Sequence, residues 1–326
     1  MTKANSVSKS TAPRLAIPSG AAESHWQTSD GHAVRRIDIP ARAPSGQQRG
    51  SILFMPGRAD CYEKWFETLD LWAGEGWSVT SSDWRGQSLS GRLGSDRTTG
   101  HIDNFDTWVA DYARFWNVWQ AQTPGPHVAV AHSMGGNIVL RAVAEGEVRP
   151  DALILSAPML GLHPIWASTA MLRPVADVIC RIGDKMRPAW KTSERPEILP
   201  RARVRLLTHD LERYADEQAW YEARPGLAMG PASWGWVAQA LASIAALEKP
   251  GVLEGVDLPV LLFGTSVDGL VSWPAIRRAA ARLPKGELVR FGPEAAHEIL
   301  REVDPVRDKA LAAIEDFLSR VLPARG

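Results

Sequence analysis

Residues 128–142 read VAVAHSMGGNIVLRA. An apolar run ends in Ala131 and His132, a lone Ser133 follows, and two glycines lead into a helical pattern. A strand, a tight turn bearing serine and then a helix is the context in which G-x-S-x-G forms a nucleophile elbow. Here the pattern is A-H-S-M-G, with Ala131 at the first glycine position. Small residues suit a turn that brings strand and helix backbones together. The hydroxyl then projects beyond the sheet beside a helix N-terminus, where the N–H of Met134 can stabilise a developing oxyanion.

Working outward, short apolar runs alternate with helical patterns, the sign of a parallel sheet with crossover helices. Strands are expected at 33–39, 51–56, 77–84, 127–132, 152–158, 259–265 and 287–292, and helices near 61–75, 104–122, 134–145, 273–283 and 304–321. The last helix carries Val306, Ala310, Ala313, Ile314 and Phe317 on one face. The fold class is α/β, a mostly parallel central sheet with helices on both faces. From 159 to 250 the alternation stops, and that segment reads as an inserted helical cap on a core formed by 25–158 and 251–326. The polar start of the chain, 1–24, reads as a flexible leader without the apolar core of a signal peptide.

An activated serine needs a base, and the base needs an orienting acid. In this topology they follow in the order Ser, Asp or Glu, His. Asp268 falls in SVDGLVS just past the strand PVLLFGT, and His297 falls in PEAAHEIL past ELVRFG. Both loops leave the carboxyl ends of strands, where α/β proteins assemble their sites. Asp257 precedes its strand and belongs at the opposite end, while Glu298 adjoins the histidine and flanks it. His25 and His32 precede the expected core sheet, His163 and His209 fall in the insertion, His101 suits a structural hydrogen bond, and His132 shapes the elbow. A second oxyanion donor is expected from the loop LFMPGRADCYEKW, where Gly57 permits a turn and the N–H of Arg58 faces the serine.

Composition sets bounds. Lys plus Arg equals Asp plus Glu at 37 each, which gives no electrostatic basis for nucleic-acid binding. Cys61 and Cys180 stand far apart in no metal-ligand spacing, which fits a reducing, cytoplasmic compartment. No run of about 18 apolar residues is present to cross a membrane. The 14 tryptophans are unusual and need a reason.

With these residues in place, the chain resembles the monoacylglycerol lipase and lysophospholipase branch of the α/β-hydrolases, within the serine aminopeptidase-like hydrolases. The matching pieces are PGRADCYEKW, DWRGQSLSGR, GHIDNFDTWVADYARFW, AHSMGGNIVLR, LSAPMLGL and AAHEILRE, covering most of 50–160 and 258–320. The resemblance implies Ser133 as nucleophile, Asp268 as acid, His297 as base, and the backbone N–H groups of Arg58 and Met134 as the oxyanion hole. It implies hydrolysis of a lipid-like monoacyl ester, a lysophospholipid or a monoacylglycerol, through an acyl-enzyme, with no metal or organic cofactor. Two departures stand out: Pro56-Gly57 replaces the His-Gly that opens the loop in monoacylglycerol lipases, and Ala131 replaces the elbow's first glycine.

In the insertion, Trp166, Trp234 and Trp236 are candidate substrate contacts, alongside Met171, Leu172, Val175, Ile179, Trp190, Trp220 and Met229, although each would also serve to pack the cap itself. Trp and Arg together suit transient contact with a membrane interface. The side chain of Arg58 is a candidate partner for a substrate phosphate. Two alternatives stay open. One is an aminopeptidase of the same fold, which would need carboxylates such as Glu194, Glu197, Asp210, Glu212, Asp216 or Glu217 to hold an ammonium. The other is a catalytically silent binding protein on the same scaffold.

Overall fold

Period-two alternation in the central strands is what builds the three layers. In the strand β3 (Gly50–Met55), Ile52 and Phe54 join one apolar cluster while Leu53 and Met55 join another on the opposite face. The computed structural model describes residues 16–42, 48–163, 169–190 and 200–322. Before β3 come β1 (Ala22–Gln27) and β2 (Ala33–Ile39); after it come β4 (Trp77–Ser82), β5 (His127–His132), β6 (Ala152–Ser156), β7 (Val260–Thr265) and β8 (Gly286–Phe291). They form one sheet in the order β1-β2-β4-β3-β5-β6-β7-β8, antiparallel from β1 to β4 and parallel from β4 to β8.

The helices are α1 (Phe66–Gly74), α2 (Phe105–Gln122), α3 (Ser133–Ala144), α4 (Thr169–Ile182), α5 (Pro200–Leu207), α6 (Leu211–Ala223), α7 (Trp234–Glu248), α8 (Trp273–Arg282) and α9 (Asp304–Val321). One face of the sheet is covered by α2, α3, α7 and α8, the other by α1 and α9. Buried on both sides, β3, β6 and β7 are apolar almost throughout, as central parallel strands must be.

The expected strands and helices occur within a few residues of their sequence-based limits. The first expected helix is a single 3₁₀ turn, Tyr62–Trp65, running into α1. One feature differs from expectation. Ala22–Ser24, read as leader, are the start of β1, an edge strand whose residues are nearly all exposed. Paired on one side only, it has no apolar alternation to betray it. It also puts His25 inside the sheet rather than before it. Residues 1–15 lie outside the described set.

The tryptophans find their reason in the core. Trp65, Trp72, Trp77, Trp84, Trp108, Trp116 and Trp119 are all buried in the body of the fold. Trp84, Trp108, Tyr112, Trp116 and Trp119 form a chain of neighbouring rings on the α2 side. Their main use is therefore core volume, since each buries a large apolar area.

Between β6 and β7 the described residues form α4 to α7. The last of these is continuous with the body, because Trp236, Ala240, Ile244 and Leu247 belong to the larger core cluster.

Candidate active site

Ser133 begins α3 at the end of β5, with φ of 51°, a left-handed conformation that L-residues avoid. Such strain persists only where the surroundings impose it. The two glycines explain how. A β-carbon on Gly135 would overlap the carbonyl oxygens of Pro56 and Met55, and one on Gly136 would come within 2.8 Å of the Pro158 side chain. Only glycine lets α3 start this close to the ends of β3 and β6. Ala131 is fully buried in β5, opposite Met55 and Leu155, and it takes the first-glycine position within regular strand pairing.

The structure brings Ser133, His297 and Asp268 together. His297 Nε2 lies 2.9 Å from Ser133 Oγ, and its Nδ1 lies 2.8 Å from Asp268 Oδ2. A carboxylate only accepts, so Nδ1 carries the proton and Nε2 is left to accept from the serine hydroxyl. The other Asp268 oxygen accepts from the N–H groups of Leu270 and Val271 at 2.8 and 3.0 Å, which fixes the carboxylate. Burial pushes the pKa of His297 down, but attraction to Asp268 and their hydrogen bond outweigh it and leave it above the ordinary value. For Asp268, burial acts upward and His297 again prevails, so the acid stays ionised. His132 packs at 4.8 Å from the His297 ring and 5.0 Å from Trp65, with Nδ1 3.2 Å from the Ser156 carbonyl. Burial and the neighbouring His297 hold it well below its usual pKa, so it is a neutral wall of the elbow.

The loop after β3 is held by side chains on either side of Arg58. Gly57 N–H donates to Asp60 Oδ2 at 3.0 Å, and Ala59 N–H donates to Gln87 Oε1 at 2.7 Å. Ala59 is itself left-handed, with φ of 52°. Gln87 also reaches Met134, its Nε2 lying 3.7 Å from the sulfur. One buried amide thus touches Met134 and Ala59, the residue that follows Arg58. Sequence reasoning assigned Gln87 no role, although DWRGQSLSGR contains it.

Above the serine lies a cavity of about 680 Å³. Ser133, His297, Arg58 and Met134 line its floor, and Leu172, Val175, Trp190, Leu206, Trp234 and Trp236 are among its walls. Of the other expected cap contacts, Met171, Ile179, Trp220 and Met229 are not in the lining; Trp220 packs edge-on against Phe66 instead. Trp166, Glu194 and Glu197 lie outside the described residues. His163 does line the cavity. The Arg58 guanidinium sits over Trp190 and Trp236, 5.3 and 5.4 Å from the ring centres, and donates to the Gly230 carbonyl at 3.3 Å. Burial, with Arg203 nearby, lowers its pKa to about 9.

The remaining candidates are placed elsewhere. Asp257 pairs with Lys285 at 2.7 Å on the surface, at the end of the sheet away from the serine. His101 bridges Ser233 Oγ at 2.7 Å and Asp103 at 3.0 Å, tying the loop before α2 to the start of α7. His209 meets Glu302 at 2.9 Å. Glu298 turns away from the histidine and accepts from Lys64 at 2.6 Å and from Arg301. Among the described residues no group of three or more His, Cys, Asp or Glu is arranged to hold a metal ion.

Lysophospholipase L2 of Escherichia coli (strain K12) is 33% identical over 281 residues, 82% of this chain and 80% of that protein. A monoacylglycerol lipase of Mycolicibacterium smegmatis is 23% identical over 269 residues, 82% of this chain and 88% of that protein. Among solved structures, a soluble variant of monoglyceride lipase from Saccharomyces cerevisiae superposes with a TM-score of 0.73 at 17% identity, covering 92% of this chain and 96% of that one. A carboxyl esterase from Bacillus coagulans gives 0.71 at 16% identity, covering 92% and 98%. These likenesses show the α/β-hydrolase fold. The serine aminopeptidase S33 family matches residues 46–304, and by that match and the 33% identity the chain belongs to this family of α/β-hydrolases.

Proposed function

We propose that the protein is a serine carboxylester hydrolase acting on single-chain lipid esters, with Ser133 as nucleophile, His297 as base and Asp268 as its orienting acid. The observation that carries this reading is the unbroken Ser133–His297–Asp268 chain of hydrogen bonds at the floor of a largely apolar cavity. As Ser133 Oγ attacks the ester carbonyl carbon, its proton passes to His297 Nε2. The oxygen of the tetrahedral intermediate accepts from the N–H groups of Met134 and Arg58. The carbon–oxygen bond to the alcohol then breaks, and His297 returns the proton to the leaving oxygen. Water attacks the acyl-enzyme by the same path, its proton going to His297 and then to Ser133 as the fatty acid leaves.

The lipid substrate is supported by the names of the relatives, a lysophospholipase and a monoacylglycerol lipase. The apolar walls contributed by α4, α5 and α7 suit an acyl chain, and segment 159–250 acts as the cap that selects it. An amine substrate would need a carboxylate to meet its charge. Among the described residues the carboxylates lining the cavity, Asp60 and Glu298, are instead both paired with Lys64, at 3.3 and 2.6 Å. That disfavours the aminopeptidase alternative.

The helix α4 extends the reading to a lipid surface. Leu172, Ala176 and Cys180 face Ala238 and Leu241 of α7. A second stripe, Met171, Val175, Val178 and Ile182, is 61, 56, 51 and 83% exposed. A helix apolar on both its packed and its open face, beside the cavity that Val175 lines, suits docking to lipid. Among the described residues no helix is long and apolar enough to cross a membrane. The test is turnover of lysophospholipids, monoacylglycerols, p-nitrophenyl esters of rising chain length and aminoacyl anilides, with fluorophosphonate labelling of wild type and Ser133→Ala. Labelling lost in Ser133→Ala and turnover greatest on long-chain monoesters are expected; preference for anilides or acetyl esters refutes the lipid reading.

A further inference from the structure

The α5–α6 half of the insertion is wired into the two loops that carry the proposed chemistry. His297 N–H donates to the Leu206 carbonyl at 3.2 Å, and Glu298 N–H to that of Leu207 at 2.8 Å. The last turn of α5 therefore holds the backbone of the histidine loop. Thr208 Oγ1 donates to the Arg301 carbonyl at 2.8 Å, and Arg213 of α6 reaches Glu67 of α1 and Asp304 of α9 at 2.6 and 2.8 Å.

Beneath these contacts lies a buried cluster of charge that borders the cavity through Asp60, Lys64, Arg203 and Glu298. Lys64 Nζ sits 3.3 Å from Asp60, 3.2 Å from Glu217 and 2.6 Å from Glu298. Arg301 pairs with Glu298 and, at 3.3 Å, with Glu217, and Arg203 of α5 lies 3.3 Å from the same Glu217. Glu217 has no exposed surface and the other members are largely enclosed. Each carboxylate has a distinct attachment. Asp60 holds Gly57 N–H in the oxyanion loop, Glu298 is the neighbour of His297, and Glu217 belongs to α6. Lys64 touches all three.

Taking these charges out of water is expensive, and an apolar cluster of equal volume would stabilise the fold at least as well. What an ionic cluster adds is a fixed geometry among the two loops and the helix it joins. We propose that Glu217 is a positioning residue: through Lys64 and Arg301 it sets the relative placement of the oxyanion loop and the histidine loop, so that turnover requires α6 to be seated. The assignment rests on Ser133 and His297 acting as proposed above.

The experiment compares Glu217→Gln with the charge-balanced double variant Lys64→Met/Glu217→Leu, which removes one cation and one carboxylate together. For purified full-length protein, kcat and KM on p-nitrophenyl butyrate are measured, together with the second-order rate of fluorophosphonate labelling and the melting temperature. A misplacement of about 1 Å costs on the order of a hundredfold in rate. Both variants should lose about that much in kcat and in labelling rate, with KM within about threefold, and the double variant should melt as cooperatively as wild type. Glu217→Asp, which keeps the charge, should recover part of the labelling rate. Wild-type labelling by a folded double variant, a loss confined to KM, or loss of the fold in both variants would overturn the proposal. If wild type hydrolyses no ester while labelling still falls in the variants, the substrate reading fails and the positioning role stands.

Discussion

Gly135 and Pro56 lie so close that a β-carbon on the glycine would overlap the proline's carbonyl oxygen. The partner is backbone and cannot swing aside. Gly135→Ala must therefore push the end of β3, and the oxyanion loop that follows it, away from the start of α3. Overpacking of this kind costs about 1–3 kcal/mol. We expect that loss in chemical denaturation and a fall in kcat of at least about a hundredfold. Wild-type kcat in Gly135→Ala would mean the contact does not set the oxyanion geometry.

Ser133→Ala should abolish ester turnover and leave the fold intact, since it removes one oxygen from a turn held by its neighbours. Losses on the order of a millionfold accompany removal of such nucleophiles. His297→Ala should be comparably inactive, while a folded His101→Ala protein should keep most turnover. Residual activity above about a hundredth of wild type in Ser133→Ala contradicts its assignment as nucleophile.

The pH profile follows from the direction of the His297 shift. The base must be neutral, and although burial opposes protonation, Asp268 raises its pKa above 6.5. The acid limb of kcat/KM should therefore have its midpoint above pH 6.5, with activity lost as pH falls through it. In Asp268→Asn the larger upward pull is gone, that of Glu298 remains, and burial still opposes protonation. Its residual activity should show a midpoint below that of wild type. A midpoint unchanged by Asp268→Asn would separate the acid from the titration of the base.

Charges placed on the open face of α4 should uncouple surface binding from chemistry. Val178→Glu with Ile182→Glu alters neither the cavity lining nor the face packed on α7. Sedimentation with phospholipid vesicles should drop at least about tenfold, because each carboxylate replaces a buried aliphatic contact in the docked state. Turnover of soluble p-nitrophenyl butyrate should stay within about twofold. Equal vesicle binding by wild type and variant would remove α4 from the docking face.

Much of the candidate site is legible in the sequence because its parts carry local signatures. The run ending at His132, the lone serine and the paired glycines encode a turn that few sequences tolerate. Strand order and a place at strand ends single out Asp268 and His297, and the structure sets His297 within hydrogen-bond reach of both Asp268 and Ser133. The rest carries no local pattern. Lys64, Arg203 and Arg301 are scattered along the chain and look like ordinary surface charge until the fold encloses them, and Glu217, a candidate for holding an ammonium in the sequence, is bound into the same cluster. Gln87 is one polar residue in a polar loop. The polar strand β1 lacks alternation because one partner strand is all it has. For the tryptophans, composition alone did not separate core from interface, and packing in the body of the fold accounts for most of them.

The hydrogen bonds from His297 and Glu298 to the end of α5 also divide the insertion by what can be exchanged. Residues 200–223 share backbone contacts with the histidine loop, so any chain that replaced them would have to reproduce those carbonyls in place. The helix α4 has no such obligation; it touches α7 through side chains, lines the cavity with Leu172, Val175 and Ala176, and otherwise faces outward. Descent with modification can therefore retune the acyl pocket through α4 one side chain at a time, while the neighbouring half stays frozen. A chimera that grafts α4 from another hydrolase should keep its turnover number and inherit a new chain-length preference.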